Sequence, residues 1–124
     1  MYNARMGLQV FGTRKDPDTR KAERYLRERG VAFQFIDLAE KGIAPGELRV
    51  LARAAGKEAG FAAGLIDSEG VRFKERGLGY MDFDPEEEIL KDPLLLRTPI
   101  LRDGKRAAIG FEPKGWDAFL GSLK

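Results

Sequence analysis

The beginning of the chain carries the pattern of a strand, a helix and a second strand, and this pattern constrains the fold most. Gly7 to Phe11 (GLQVF) is a short apolar run that is typical of a buried strand. Val31 to Leu38 (VAFQFIDL) alternates in the manner of a second strand. Because a helical pattern joins these two strands, we expect them to be parallel, with a right-handed crossover. The apolar residues of that helix keep the i, i+3, i+4 spacing of one face, at Ala22, Tyr25 and Leu26.

The helix between these strands has signals at both ends. The stretch RKDPDTRKA, Arg14 to Ala22, places Asp16 where a cap residue accepts backbone hydrogen bonds. Pro17 suits the first helical position, because the N–H that proline lacks has no partner there. Gly30 fits the left-handed position that follows a last helical turn, so we predict that the helix ends just before it.

The middle of the chain favours helices. Pro45 opens one with apolar residues on a single face, and Gly56 ends it; the face comprises Leu48, Leu51, Ala52 and Ala55. Lys41 to Ala44 is predicted to be a loop, and residues 57–81 give the weakest pattern, short helical turns around a loop. The pairs Asp84-Pro85 and Asp92-Pro93 repeat the helix-start signal of Asp16-Pro17.

The last third of the chain predicts a hairpin and a closing helix. Thr98 to Leu101 is typical of a strand, Asp103-Gly104 is a hairpin turn signal, and Arg106 to Ile109 is the returning strand. A final helix has an apolar face made of Trp116, Phe119 and Leu120. The order is βαβ, helices, ββα, which predicts an α/β fold with a four-stranded mixed sheet flanked by helices. The 124 residues favour a single domain over 1–124.

Composition excludes several chemistries. The chain contains no cysteine and no histidine. It therefore has no disulfide, no thiol nucleophile, no imidazole base and no zinc site of the Cys/His type. A metal site would need carboxylates alone, and the run Asp82 to Glu88 (DFDPEEE) is the richest in them. Its spacing matches no known metal loop, and helix-start chemistry explains it, so we predict no metal site.

The charge and hydropathy patterns also limit the partners. The net charge is +2, and the basic run from Arg14 to Arg29 is interpreted as a solvated helix face rather than a nucleic-acid interface. No apolar run approaches the roughly 18 residues of a membrane span. The start, MYNARMGLQV, lacks a secretory signal. We expect a cytoplasmic protein without a membrane segment.

Three stretches of the chain resemble a known family. VFGTRKDPDTRKAERYL is similar to the first strand, active loop and helix of the arsenate reductase-like family (the ArsC, Spx and YffB group). LKDPLLLRTPILRDGKRAAIGFEPKGWDAFL is similar to its C-terminal stretch. With PGELRVLARAAG, the resemblance covers about residues 7 to 120. It implies the thioredoxin-like fold, in which βαβ precedes ββα, and a cis peptide bond at Thr98-Pro99.

The resemblance implies that the thiol chemistry of the family is lost. The position of its catalytic cysteine, at the start of the first helix, matches Asp16, and the second cysteine of Spx-like members matches Thr19. The arsenate reductases hold their oxyanion with arginines. One of these matches Thr98, with Arg97 one place earlier, and another matches Phe111. A third falls near Asp67, so the nucleophile and most anion clamps are absent together.

Asp16 has two interpretations. As a cap it stabilises the helix, and losing such a cap costs about 1 kcal/mol. As a nucleophile or base it would be weak, because the positive end of the helix stabilises its charge. We favour the cap. The candidate contacts to a ligand or anion are Arg14, Lys15, Arg97, Thr98 and Pro99.

Three functions stay open at this stage. The leading prediction is a redox-inactive module that binds or regulates a partner, as Spx-like members do by contacting RNA polymerase. The alternative is a divergent reductase-type enzyme that binds glutathione or an oxyanion, in which glutathione would supply every sulfur. The third is a small structural subunit of a larger assembly. No cofactor is expected apart from glutathione in the second case.

Overall fold

One mixed sheet of four strands, in the order β2-β1-β3-β4, organises the computed structural model. The structure describes residues 8–55 and 64–121. Strand β1 (Leu8–Gly12) runs parallel to β2 (Gln34–Asp37) and antiparallel to β3 (Ile100–Asp103), which pairs in turn with the antiparallel β4 (Arg106–Ile109). The parallel βαβ unit, the hairpin and the α/β class are therefore confirmed.

Several helices begin at the predicted start signals. In the described residues they are α1 (Pro17–Glu28), α2 (Leu38–Lys41), α3 (Pro45–Ala55), α4 (Val71–Glu75), α5 (Pro85–Lys91) and α6 (Pro113–Gly121). Short 3-10 turns cover Leu78–Tyr80 and Pro93–Leu95. Proline occupies the first turn of α1 and α5, and Gly30 adopts a left-handed φ of 69° after α1, as predicted. None of the described helices is long and apolar enough to cross a membrane.

Several boundaries differ from the prediction, and β1, for example, continues to Gly12 instead of ending at Phe11. Strand β2 is shorter than Val31 to Leu38, and Leu38 instead opens α2, whose residues LAEK are all good helix formers. That helix also takes Lys41 from the predicted loop. Strand β3 begins at Ile100 rather than Thr98, because Pro99 has no N–H to donate to a ladder. The predicted helix end at Gly56 and residues 57–63 lie outside the described residues.

The chain divides into two compact units. The first combines the residues up to Asp37 with those from Thr98 onward, and it contains the whole sheet with α1 and α6. The second runs from Leu38 to Arg97 and contains α2 to α5. The single domain over 1–124 stays a prediction.

The core of the first unit lies on the side of the sheet that α1 and α6 cover. The inward faces predicted for the two helices are buried there against Leu8, Val10 and Leu101. Trp116 is only 1% exposed, and its Nε1–H donates to the carbonyl of Gly110 at 2.9 Å. The packing thus fixes the end of β4 against α6.

An ion-pair network holds the second unit together. Asp92 is 8% exposed, and its Oδ2 lies 2.7 Å from Nε of Arg72 and 3.2 Å from Nη1 of Arg76. Arg76 also bonds Glu88. Burial alone would raise the pKa of the Asp92 carboxyl, but the hydrogen bonds and charges of Arg72 and then Arg76 outweigh burial, so this pKa lies below its ordinary value. The network joins α4 to the end of α5.

The lowered pKa of Asp92 predicts loss of stability in acid. A carboxyl with a lower pKa in the folded state stabilises the fold above its unfolded pKa, about 3.9, and this contribution disappears as the pH falls through the folded value. We expect Asp92→Asn to cost about 1–2 kcal/mol at pH 7, because it removes a charged hydrogen-bond acceptor from two arginines. Urea unfolding of both proteins at pH 7 and below pH 3 checks this. An equal difference at both pH values would contradict it.

Candidate functional site

The candidate site is built around Asp16, the residue just before α1. Its backbone is extended, with φ −76° and ψ 118°, and its Oδ1 accepts the N–H of Asp18 at 3.2 Å. This geometry confirms the helix cap predicted from the sequence. The carboxylate therefore occupies the positive end of the helix, where the backbone dipoles favour a negative charge.

Two hydroxyl groups bond the other oxygen of the same carboxylate. Asp16 Oδ2 accepts from Oγ1 of Thr19 at 2.8 Å and from Oγ1 of Thr98 at 2.7 Å. Thr19 is fully buried and Thr98 is half-buried. Asp16 thus connects the first turn of α1 with the segment that leads into β3, which lies 82 positions further along the chain.

Gly12 lets α1 approach the end of β1 closely. A Cβ atom at this position would lie 2.4 Å from Oγ1 and 2.6 Å from Cγ2 of Thr19. Both distances are below van der Waals contact, so no side chain fits there without movement of Thr19. The absent side chain of Gly12 therefore allows the Thr19 hydroxyl to sit where it meets Asp16.

The Thr98-Pro99 peptide bond is cis, as the resemblance implied, and Pro99 is buried. The bond from the Thr98 hydroxyl to Asp16 was not anticipated, since the sequence indicated Thr98 only as a candidate contact to a ligand or anion. The spacing of Asp16 and Thr19, a cap residue and the third residue after it, was a signal for the first hydroxyl bond. No comparable signal marks Thr98, because its partner is remote in sequence.

The three basic residues predicted as anion contacts, Arg14, Lys15 and Arg97, have different surroundings. Nε of Arg14 lies 3.5 Å from Oδ2 of Asp37, and its guanidinium carbon lies 5.2 Å from the centre of the Phe35 ring. Lys15 is exposed. Arg97 belongs to the second unit, where its side chain is exposed and its N–H donates to the carbonyl of Leu65 at 2.7 Å. The structure brings together Asp16, Thr19 and Thr98, whereas Arg14 forms an ion pair with Asp37.

Phe111 has a packing role, and the acidic run from Asp82 to Glu88 contains a helix cap. Phe111 packs edge-on against the rings of Tyr25 and Trp116, at 5.5 and 5.2 Å between centres. In the acidic run, Asp84 Oδ1 accepts the N–H groups of Glu86 and Glu87 at 3.0 and 3.4 Å, which confirms its prediction as a helix start. Among residues 8–55 and 64–121, no three acidic side chains gather as metal ligands.

The arrangement places one negative charge among three hydrogen-bond donors. The Asp16 carboxylate accepts one backbone N–H and two hydroxyl groups, and it lies on the helix dipole. The carboxylate thus joins the first turn of α1 to the segment before β3 through hydrogen bonds that the protein itself supplies. The geometry supports a structural anchor more than a catalytic carboxylate.

Comparison with known proteins gives consistent results. The family model described as the ArsC family matches residues 15–119. The Bacillus subtilis (strain 168) protein named "Uncharacterized protein YusI" is 27% identical over 112 residues, which cover 86% of this chain and 92% of YusI. A solved structure of a YFFB protein superposes with a TM-score of 0.77 at 26% identity, covering 91% of this chain and 98% of that one.

An arsenate reductase from Vibrio cholerae has the same fold. Its structure superposes with a TM-score of 0.75 at 22% identity, covering 91% of this chain and 96% of its own. At this identity the likeness concerns the fold alone. The three proteins are similar in length to this chain, since each is covered over more than nine tenths.

Proposed function

The chain belongs to the ArsC family, and on that premise we propose that it works without thiol chemistry, as a module that binds or regulates a partner. The chain contains no cysteine, so a reductase step that needs a protein thiolate has no nucleophile here. Binding another protein needs no thiol. The fold of the family is thus kept while its reactive group is absent.

The bonded carboxylate of Asp16 is the observation that carries the proposal. By resemblance, this residue stands where the family has its catalytic cysteine. A thiolate or a bound oxyanion would use the same helix end, and Asp16 fills it with its own charge. Both nearby hydroxyls are already donated to this carboxylate. An anionic substrate would meet a like charge there, and the hydroxyls of Thr19 and Thr98 would first have to release Asp16.

RNA polymerase is the first partner to test, since the resemblance includes Spx-like members, and the cytoplasm is the proposed location. Purified RNA polymerase flowed over the immobilised protein is expected to bind saturably, and an unrelated small basic protein on the same surface is the control. Absence of binding would remove this partner from the proposal.

A thermal-shift series separates the module from the enzyme. We expect arsenate, phosphate and glutathione to leave the melting temperature of the wild-type protein unchanged, because a ligand raises it only by binding the folded state. Asp16→Ser keeps a capping oxygen but removes the charge, and we expect arsenate or phosphate to raise its melting temperature by about 2–4 °C.

A rise in melting temperature has the opposite meaning for the wild-type protein and for Asp16→Ser. Stabilisation of the wild-type protein by any of the three ligands would overturn the module and favour a divergent enzyme that binds glutathione or an oxyanion. An unchanged melting temperature of Asp16→Ser would show that Asp16 does not stand in for a bound anion.

A further inference from the structure

Strand β4 forms one edge of the sheet, and part of its backbone faces away from the sheet. The N–H of Gly110, just after β4, donates to the carbonyl of Pro99 at 2.8 Å. Residues that bond to the neighbouring strand alternate along an antiparallel ladder. The backbone N–H and carbonyl groups of Ala107 and Ile109 therefore point away from β3. Such an edge is a template for one more strand.

A groove runs beside this edge, between β4 and α6. Its volume is about 350 Å³, and volumes of roughly 300–1,000 Å³ are typical of ligand sites. Small residues keep it open on both sides, namely Ala108, Gly110, Gly115 and Ala118. Trp116 and Phe119 also line it, and both are buried. Because side chains alternate along a strand, every second side chain of an added strand would enter this groove.

The guanidinium group of Arg106 brings a positive charge to the groove. The guanidinium carbon of Arg106 lies 4.4 Å from the centre of the Phe119 ring, which holds the side chain over the groove wall. The ladder places Asp103 opposite Arg106, yet within the described part of the chain no ion pair includes Arg106. Glu112, the acidic residue of the groove, accepts the N–H of Gly115 at 2.9 Å. An acidic group is the natural complement of Arg106.

We propose that the outer edge of β4 binds an extended segment of a partner protein, which adds a fifth strand and brings an acidic residue to Arg106. Backbone hydrogen bonds to Ala107 and Ile109 supply the affinity, and the groove accepts small or medium apolar side chains at alternate positions. The proposal rests on the proposed binding role but names a surface that does not involve Asp16.

A selection from a displayed library of random ten-residue peptides tests the proposal. We expect enriched peptides that alternate apolar residues and carry Asp or Glu at a constant place. Ala107→Pro removes one outward N–H and none of the N–H groups that bond β3, so it should weaken the selected peptides about ten-fold. The matched control, Ala107→Val, keeps the N–H and should bind as the wild type does.

A second variant tests the charge. Arg106→Ala should weaken peptides with the acidic residue about five-fold and leave their acid-to-amide analogues unaffected. Circular dichroism and melting temperature verify that each variant is folded. Ala107→Pro can disturb β4 itself, so a measurement on the wild-type protein is also needed. Hydrogen exchange of the Ala107 and Ile109 amides is compared with and without a selected peptide. We expect the bound peptide to protect both amides from exchange.

Three results would overturn the proposal: no enriched peptide, equal binding by Ala107→Pro, or unprotected amides in the complex. Analytical ultracentrifugation tests whether a second copy of this chain occupies the edge of β4 instead. A wild-type dimer that Ala107→Pro converts to a monomer would assign the edge to that second copy. RNA polymerase binding is measured separately. If RNA polymerase does not bind but the selected peptides do, the result contradicts RNA polymerase as the partner and leaves the proposed binding surface supported.

Discussion

Asp16→Ala should be about 2–3 kcal/mol less stable than the wild-type protein and melt roughly 6–12 °C lower. The cap contributes about 1 kcal/mol of this loss. The rest comes from Thr19 and Thr98, whose hydroxyls both donate to the removed carboxylate. Because Thr19 is fully buried, its hydroxyl would lose a partner that water cannot easily replace. Urea denaturation at pH 7 measures the effect.

The chain offers a matched control for this prediction. Asp84 also precedes a proline and caps a helix, but within the described part of the chain its side chain accepts only the backbone N–H groups of Glu86 and Glu87. Asp84→Ala should therefore cost only about 1 kcal/mol. Equal losses for the two variants would show that the hydroxyl bonds of Asp16 contribute nothing. An unchanged stability of Asp16→Ala would show that it is not a structural anchor.

Gly12→Ala should destabilise the fold by about 2–3 kcal/mol, since its Cβ would collide with a buried side chain between two packed elements. The nearest atoms, Oγ1 and Cγ2 of Thr19, are 2.4 and 2.6 Å from that Cβ position. Gly46→Ala is the control, because nothing lies within 4 Å of its Cβ position, and it should be neutral or slightly stabilising. Thermal denaturation ranks the two.

A double-mutant cycle attributes the cost of Gly12→Ala to its contact. In a Thr19→Ala background, the two shortest contacts are absent, and the third, to the Cβ of residue 19 at 3.0 Å, remains. The cost of Gly12→Ala should fall there by at least about 1 kcal/mol. A cost that is the same in both backgrounds would place the strain in the backbone of β1.

Local chemistry made much of the fold predictable. The Asp-Pro pairs set the starts of α1 and α5, because a cap depends on neighbours a few residues away. The Asp103-Gly104 signal correctly located the hairpin, although Asp103 ends β3 and the turn itself consists of Gly104 and Lys105. Helix α2 was missed, since Leu38 continued an alternating apolar run and also began a good helical stretch. Periodicity over four residues cannot separate these outcomes.

The candidate site was predictable only in part. Sequence alone identified Asp16 as a cap, because its neighbours supply the N–H donors. It did not identify the bond from Thr98, which depends on how β1 and β3 pair across most of the chain. The engagement of Arg14 with Asp37 was missed for the same reason, since it needs the register of β1 and β2. Tertiary packing, and not residue type, determines these contacts.

The inner position of β1 affects how the protein folds during its synthesis. On a ribosome, β1 can pair early with β2, but its other neighbour, β3, is synthesised only after the whole segment from Leu38 to Arg97. Domains rich in such distant pairings fold slowly, because a long loop must close before the contacts form. A nascent chain would therefore expose one edge of β1 until translation is nearly complete.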